Sequence, residues 1–228
     1  MIETVFLDAG GVLVWPNWSR VADALRTHGV SVDAKKLEAA DPLARYELDR
    51  AHVVDASTDQ RRSRSFFDLV FEEAGVELSE RTTAAMQEVL RYHSVHNLWE
   101  QVPEFVRPAL RQLRTDGYKL SVVSNANGTV AKLFERLGLA PLVDMIFDSQ
   151  VEGLEKPDPR FFELAITRSG ARAETTVHVG DFYNIDVVGA RRASLLPVLV
   201  DEIDLRRGAD CARIRTIAEL PELLRSLP

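Results

Sequence analysis

Thr4-Val5-Phe6-Leu7-Asp8-Ala9-Gly10-Gly11-Val12-Leu13 runs a short apolar stretch into a carboxylate and then into two glycines. The run has the length and the β-branched character of a strand buried on both faces, and glycines directly after it let the backbone approach a ligand closely. Taken alone, it equally describes a strand followed by an Asp-containing turn. Two more apolar runs end the same way, 120–123 ahead of Ser124 and 177–179 ahead of Gly180-Asp181, and weaker ones lie at 145–147 and 197–200.

Helical spacing fills the intervals: 104–115 stopped by Gly117, 130–137 by Gly138, 161–169 by Gly170, and 187–193. Alternating strands and helices predict an α/β fold with a parallel sheet, because each parallel pairing needs a crossover that travels back along the sheet. Such sheets place ligands outside the carboxyl ends of their strands, where Asp8, Ser124 and Asp181 fall. The stretch 17–98 is different, with helical spacing throughout and no strand. Ser19 is expected to cap a helix ending at Gly29, and Phe66, Phe67, Val70, Phe71 and Ala74 form an apolar stripe ending at Gly75. A further helix is expected from Ser79 to about residue 96, with Met86, Val89, Leu90 and His93 on one face. The prediction is a helical cap domain, 17–98, inserted into an α/β core of 1–16 and 99–228, with a last helix at 217–224.

The chain has 228 residues, 46% hydrophobic and 28% charged, which is enough apolar material for a real core and excludes wholesale disorder. With 28 basic and 35 acidic residues the formal charge is −7, so a nucleic-acid backbone or an anionic membrane is repelled on average. A small anion can still be held locally. Cys211 is the only cysteine, which rules out an intramolecular disulfide and a thiolate metal cluster and fits a reducing compartment. The first residues carry no basic leader, and Asp8 cuts the apolar run short, so a cytoplasmic protein is expected.

Three more pieces carry chemistry. Ser124-Asn125 offers a hydroxyl and backbone amides at a strand end, although a helix cap explains Ser124 as well. Lys156 sits in Glu155-Lys156-Pro157-Asp158-Pro159, where two prolines stiffen the loop and can fix an ammonium group; a solvated lysine is the plainer reading. Asp181 and Asp186 lie five apart where a strand meets a helix. Oxygen ligands of that kind suit Mg²⁺, which binds one or two carboxylates, keeps several waters and takes substrate phosphate. Two capping aspartates would look the same.

In this order, with these strand-end placements and with a helical insertion after the first motif, the chain resembles the haloacid dehalogenase superfamily, most closely its phosphatase-like members with an inserted helical cap. The resemblance runs from Val5 to about residue 200 and implies a Rossmann-like parallel sheet core. It implies that Asp8 is the nucleophile, forming an aspartyl-phosphate, that Ser124 and the Asn125 backbone hold phosphoryl oxygens, and that Lys156 pairs with Asp8 and the transferred group. Mg²⁺ would then be bound by Asp8, the Gly10 carbonyl and Asp181, with Asp186 acting directly or through water. The implied activity is that of a phosphatase of a small phosphorylated metabolite, in a monomer or homodimer with no nucleic-acid or membrane partner.

One position departs from the pattern. Family phosphatases usually carry a second aspartate two residues after the nucleophile as general acid and base, and here Gly10 stands there. Such catalysis is typically worth roughly 10² to 10⁴ in rate. Three readings stay open: a phosphatase that finds its proton elsewhere, a 2-haloacid dehalogenase, or a weakly catalytic phosphate-binding or regulatory module. Asp181 and Asp186 count against the dehalogenase, which needs no metal-binding acidic pair. For substrate contact, Gly10, Gly11, Asn125, Asn17, Trp18 and Arg45 are candidates, along with Trp15, Tyr46, His52, Arg62 and Arg64. For any one of the charged residues a solvated helix face is the favoured explanation, and packing at the hinge explains either tryptophan as well. Phe182 and Tyr183 either pack or flank the entrance to the site. His178 is expected to face the core as a neutral imidazole, and no zinc spacing includes His93 or His96.

Overall fold

Strand β1 (Thr4–Leu7) is buried along its whole length, with Val5, Phe6 and Leu7 fully enclosed. Around it the computed structural model, which describes residues 1–50 and 59–227 with the side chains of 59–64 left out, assembles a six-stranded parallel sheet. The other strands are β2 (Lys119–Ser124), β3 (Met145–Asp148), β4 (Thr176–Gly180), β5 (Leu196–Val200) and β6 (Ala212–Ile214). Their order is β3-β2-β1-β4-β5-β6, so the chain winds outward from β1 in one direction and then from β4 in the other. The switch point therefore lies between β1 and β4, where open α/β sheets take their ligands.

Register places the strand ends together. Leu7 pairs with Val122 on one side and Val179 on the other, so Asp8 is level with Val123 and Gly180, and Ser124 and Asp181 lie one residue further on. Helices cover the sheet for ordinary reasons of packing. Phe161, Phe162 and Ala165 of α8 (Pro159–Ser169) and Ala190 of α9 (Val188–Arg192) pack with Phe6, Val123 and Phe147 in one buried cluster. Each such phenylalanine contributes about 1.5–3 kcal/mol through burial. Helix α8 is well marked locally: Asp158 accepts the Arg160 N–H as its cap, Pro159 opens it, and Gly170 closes it at φ 63°.

Contacts divide the chain into two units, Met1–Trp15 with Glu100–Pro228, and Pro16–Trp99. The sheet unit also contains α5 (Val106–Thr115), α6 (Val130–Arg136), the one-turn α7 (Ser149–Glu152) and α10 (Leu220–Ser226). An antiparallel bridge between Trp15 and Gln101 ties the departing chain to the returning one, and the Trp15 ring meets Phe105 edge-on at 6.0 Å.

The other unit is helical: α1 (Trp18–Thr27), α2 (Ala34–Arg50), α3 (Asp59–Glu73) and α4 (Glu80–His96). Its aromatic centre joins Trp18, Phe66, Phe67 and Trp99. The helix expected from Ser79 is α4, and Ser79 caps it in a capping box with Thr82. Ser19 does not cap α1; Asn17 does, accepting the Arg20 N–H at 3.1 Å, so the helix begins two residues earlier than Ser19 suggests. Helix α2 passes through Pro42, because Leu37, Ala40, Ala44 and Leu48 bury one continuous stripe that outweighs the lost backbone bond. No helix among the described residues is long and apolar enough to cross a membrane.

Candidate active site

Three strand ends, one loop and one helical turn build the site entirely within the sheet unit. Asp8 follows β1, and its Oδ1 accepts the N–H of Ala9 at 2.7 Å. The next turn is held by Leu13 and Val14 N–H groups donating to the Ala9 carbonyl and by Gly11, at φ 68°, donating to Val14. A side chain at Gly11 would strain that left-handed backbone.

Lys156 is fully buried, and its Nζ bridges two carboxylates, 3.0 Å from Asp8 Oδ2 and 2.7 Å from Asp186 Oδ1. Two contacts hold its backbone, from Asn125 and at Pro157. Asn125, just beyond β2, clasps the lysine backbone with both ends of its amide: Nδ2 donates to the Lys156 carbonyl at 2.8 Å, and Oδ1 accepts its N–H at 2.7 Å. The Lys156–Pro157 peptide is cis, and Pro157 lies under Gly189 of α9, where a Cβ would come within 3.0 Å of the proline Cα. Burial alone would push the lysine ammonium down, but Asp186 and Asp8 outweigh it and hold its pKa above the usual value.

Asp186 sits in a π-helical turn, Tyr183–Val187, directly after Asp181 and Phe182. Its Oδ1 also lies 2.8 Å from Nε2 of His178, and its Oδ2 accepts the Phe182 N–H at 3.0 Å. Burial opposes its charge, yet Lys156 and His178 keep its pKa below the usual carboxylate range. Asp8 is shifted the other way. Burial pushes its carboxyl up and Asp186 adds to the push, against the pull of Lys156 and a hydrogen bond with Ser124.

Ligand oxygens of Asp8, Asp181 and Asp186 all lie within 4.8 Å of one another. Three carboxylates facing one ammonium leave an excess of negative charge in a buried place, and their oxygens are hard donors. That donor set fits a small divalent cation, which would offset the burial and the Asp186 charge that raise Asp8.

The sequence-derived candidates separate into two groups. Asp8, Ser124, Lys156, Asp181 and Asp186 converge. Asn17, Trp18 and Arg45 belong to the helical unit, where each has a packing or capping role. Asn17 caps α1, Trp18 Nε1 donates to buried Asp41 at 3.3 Å, and Arg45 Nε donates to the same Asp41 at 2.6 Å. His52 and the side chains of Arg62 and Arg64 lie outside the described residues. Tyr183 does not pack inward; its hydroxyl joins Asp210 at 2.7 Å, and Arg191 grips the same carboxylate, which braces the π turn from outside.

Three contributors escaped the sequence reading: the Asn125 clasp, the Gly189 contact, and His178 as partner of Asp186. A hint existed for the last. In β4 the period of two puts His178 on the same side as Gly180, and Gly180 adjoins Asp181.

A family model described as haloacid dehalogenase-like hydrolase matches residues 2–194. Over 148 residues the chain is 32% identical to a glyceraldehyde 3-phosphate phosphatase of Methanothermobacter thermautotrophicus, which is 60% of this chain and 64% of that protein. It is 30% identical over 183 residues to haloacid dehalogenase-like hydrolase domain-containing protein 3 of Bos taurus, 78% of this chain and 72% of that one. A solved 2-haloacid dehalogenase from Pseudomonas syringae pv. tomato shares the fold, with a TM-score of 0.62 at 25% identity over 99% of both chains. The matched stretch of the family model takes in Asp8, Ser124, Lys156, Asp181 and Asp186 together, and the chain belongs to the haloacid dehalogenase-like hydrolases.

Proposed function

We propose that the protein is a Mg²⁺-dependent phosphatase of a small phosphorylated metabolite, acting in the cytoplasm through a covalent intermediate on Asp8. The observation that carries this reading is the bridging Lys156 Nζ, 3.0 Å from Asp8 and 2.7 Å from Asp186. An anionic nucleophile approaching an anionic phosphoryl group needs fixed positive charge, and this ammonium is already in place and shielded from water. Relatives named as phosphatases of glyceraldehyde 3-phosphate and of ribulose 1,5-bisphosphate support the substrate class.

In this mechanism an Asp8 carboxylate oxygen attacks phosphorus, the bond from phosphorus to the ester oxygen breaks, and that oxygen leaves with the electron pair. Water then attacks phosphorus and releases phosphate, regenerating Asp8. Ser124 and the Asn125 backbone hold phosphoryl oxygens, Gly10 and Gly11 let the backbone approach, and Lys156 balances charge in both halves. Asp8, Asp181 and the Gly10 carbonyl would hold Mg²⁺, with Asp186 directly or through water; bound there, the ion supplies electrostatic stabilisation of the transferring group. Asn17, Trp18 and Arg45 remain candidates for substrate selection.

The test is a panel of phosphate esters, acyl phosphates and 2-haloacids, assayed with and without Mg²⁺ alongside Asp8→Asn. Metal-dependent phosphate release that the substitution abolishes is expected. Metal-independent halide release would make the protein a dehalogenase, and phosphate binding without turnover would make it a binding module.

A further inference from the structure

His178 stands in the middle of β4, opposite Phe6 of β1, and is fully buried. Its Nε2 lies 2.8 Å from Asp186 Oδ1, the same oxygen that takes the Lys156 ammonium at 2.7 Å. An ionised carboxylate only accepts, so Nε2 carries the hydrogen and Nδ1 is bare. Among the described residues Nδ1 has no hydrogen-bond partner, and the Phe162 ring meets the imidazole edge-on at 4.8 Å.

A buried, unsatisfied nitrogen costs stability, and a methionine or phenylalanine would fill the same space without it. What the imidazole gives in return is the one hydrogen bond to Asp186. We propose that His178 is a positioning residue of the phosphoryl-transfer site: its Nε2–H fixes the Asp186 carboxylate, and through it the Lys156 ammonium and the Asp8–Asp181–Asp186 trio. The proposal rests on the phosphatase reading for its kinetic consequence and on the acidic trio for its binding consequence. These are separable. Asp186 cannot turn away from His178 easily, because Phe182 N–H holds its other oxygen and Gly180 leaves it no more than the space it fills. Losing the Nε2–H frees Oδ1 to draw Lys156 toward Asp186 and away from Asp8.

The experiment measures Mg²⁺ binding to the purified full chain by calorimetry for wild type, His178→Met and His178→Gln, with phosphate release from 4-nitrophenyl phosphate in parallel. Removing a partner that orients a ligand typically costs roughly 10- to 100-fold in affinity or activity. The expected result is that His178→Met weakens Mg²⁺ about tenfold or more by that measure and lowers kcat with KM little changed, while the thermal midpoint holds. His178→Gln, whose amide N–H reaches the same oxygen, restores most of both. In an Asp186→Asn background His178→Met has no further effect, which a purely structural role would not produce. Should His178→Met not fold, His178→Phe replaces it, and failure of both to fold places the residue in the core and overturns the proposal. Unchanged Mg²⁺ affinity in the donor-free variant, or an undiminished effect beside Asp186→Asn, overturns it as well. If wild type binds Mg²⁺ but releases no phosphate, the phosphatase reading fails and the binding comparison still decides the role of His178. If wild type binds no Mg²⁺, the proposal falls.

Discussion

A Cβ built on Gly180 would overlap the carboxyl carbon of Asp186, so the last residue of β4 is glycine because the carboxylate six residues later occupies its side-chain space. Asp186 must sit there to reach both Lys156 and His178. Gly180→Ala is therefore expected to displace the π turn, cut phosphate release by two orders of magnitude or more, and destabilise the fold by about 1–3 kcal/mol as overpacking does. Steady-state kinetics and a denaturant melt on the same preparation check it. A fully active Gly180→Ala would mean that Asp186 has room to move.

Asp8 carries a cost in the folded state. Burial and then Asp186 push its carboxyl pKa above the ordinary value, so the native protein holds that proton at pH values where the unfolded chain has released it. Stability from this group is present below the unfolded pKa and is lost as pH rises through the folded one. Without added metal, Asp8→Asn is expected to be at least as stable as wild type at pH 7, to lose that advantage in acid, and to be inactive. Thermal melts at both pH values decide it; a clearly less stable Asp8→Asn at pH 7 would refute the charge balance described here.

Gly10 offers no side chain to protonate a leaving oxygen. Turnover should accordingly track leaving-group acidity, with acyl and aryl phosphates well ahead of alkyl phosphates. Gly10→Asp is expected to raise rates on alkyl phosphates selectively, by up to roughly 10²–10⁴, the usual range for general acid–base catalysis. A rate series across phosphate esters of graded alcohol pKa measures this. Flat dependence in the wild type would mean that another group delivers the proton.

His93 gives the helical unit an acid-sensitive contact. Its Nδ1 accepts the Leu98 N–H at 3.0 Å, and its ring lies 5.1 Å from that of Trp99. Burial lowers its pKa to about 4. The unfolded chain, with a histidine near 6.5, binds the proton first, so stability is full above that value and falls as pH drops toward 4. The loss is worth up to about 3 kcal/mol. Denaturant midpoints between pH 7.5 and 4 should fall less steeply in His93→Gln; the same slope in both proteins would rule the contact out as the cause.

Much of this was legible in the amino-acid order because burial on both faces leaves a plain signal. The runs that became β1 to β5 are largely apolar stretches, and β1, β2 and β4 lead into Asp8, Ser124 and Asp181. Strand β6 left no such trace: it is three residues long and contains Arg213, which pairs with Asp201 and Asp204. The site behaved similarly. Asp8, Lys156 and Asp181 stand out as polar residues at strand ends or just ahead of two prolines, whereas Asn125 acts through its amide on a backbone 31 residues away, which no local pattern reveals. Gly180 and Gly189 are read as ordinary glycines until the atoms above them are known.

The central claim is that Asp8 takes the phosphoryl group. Protein mixed with an acyl phosphate and Mg²⁺, quenched in acid during turnover and examined by intact-mass and peptide mass spectrometry, tests it directly. One phosphoryl group on the peptide containing Asp8, absent without metal and absent in Asp8→Asn, is the predicted result. Phosphate released while Asp8 stays unmodified, or the label found on another residue, would contradict the account.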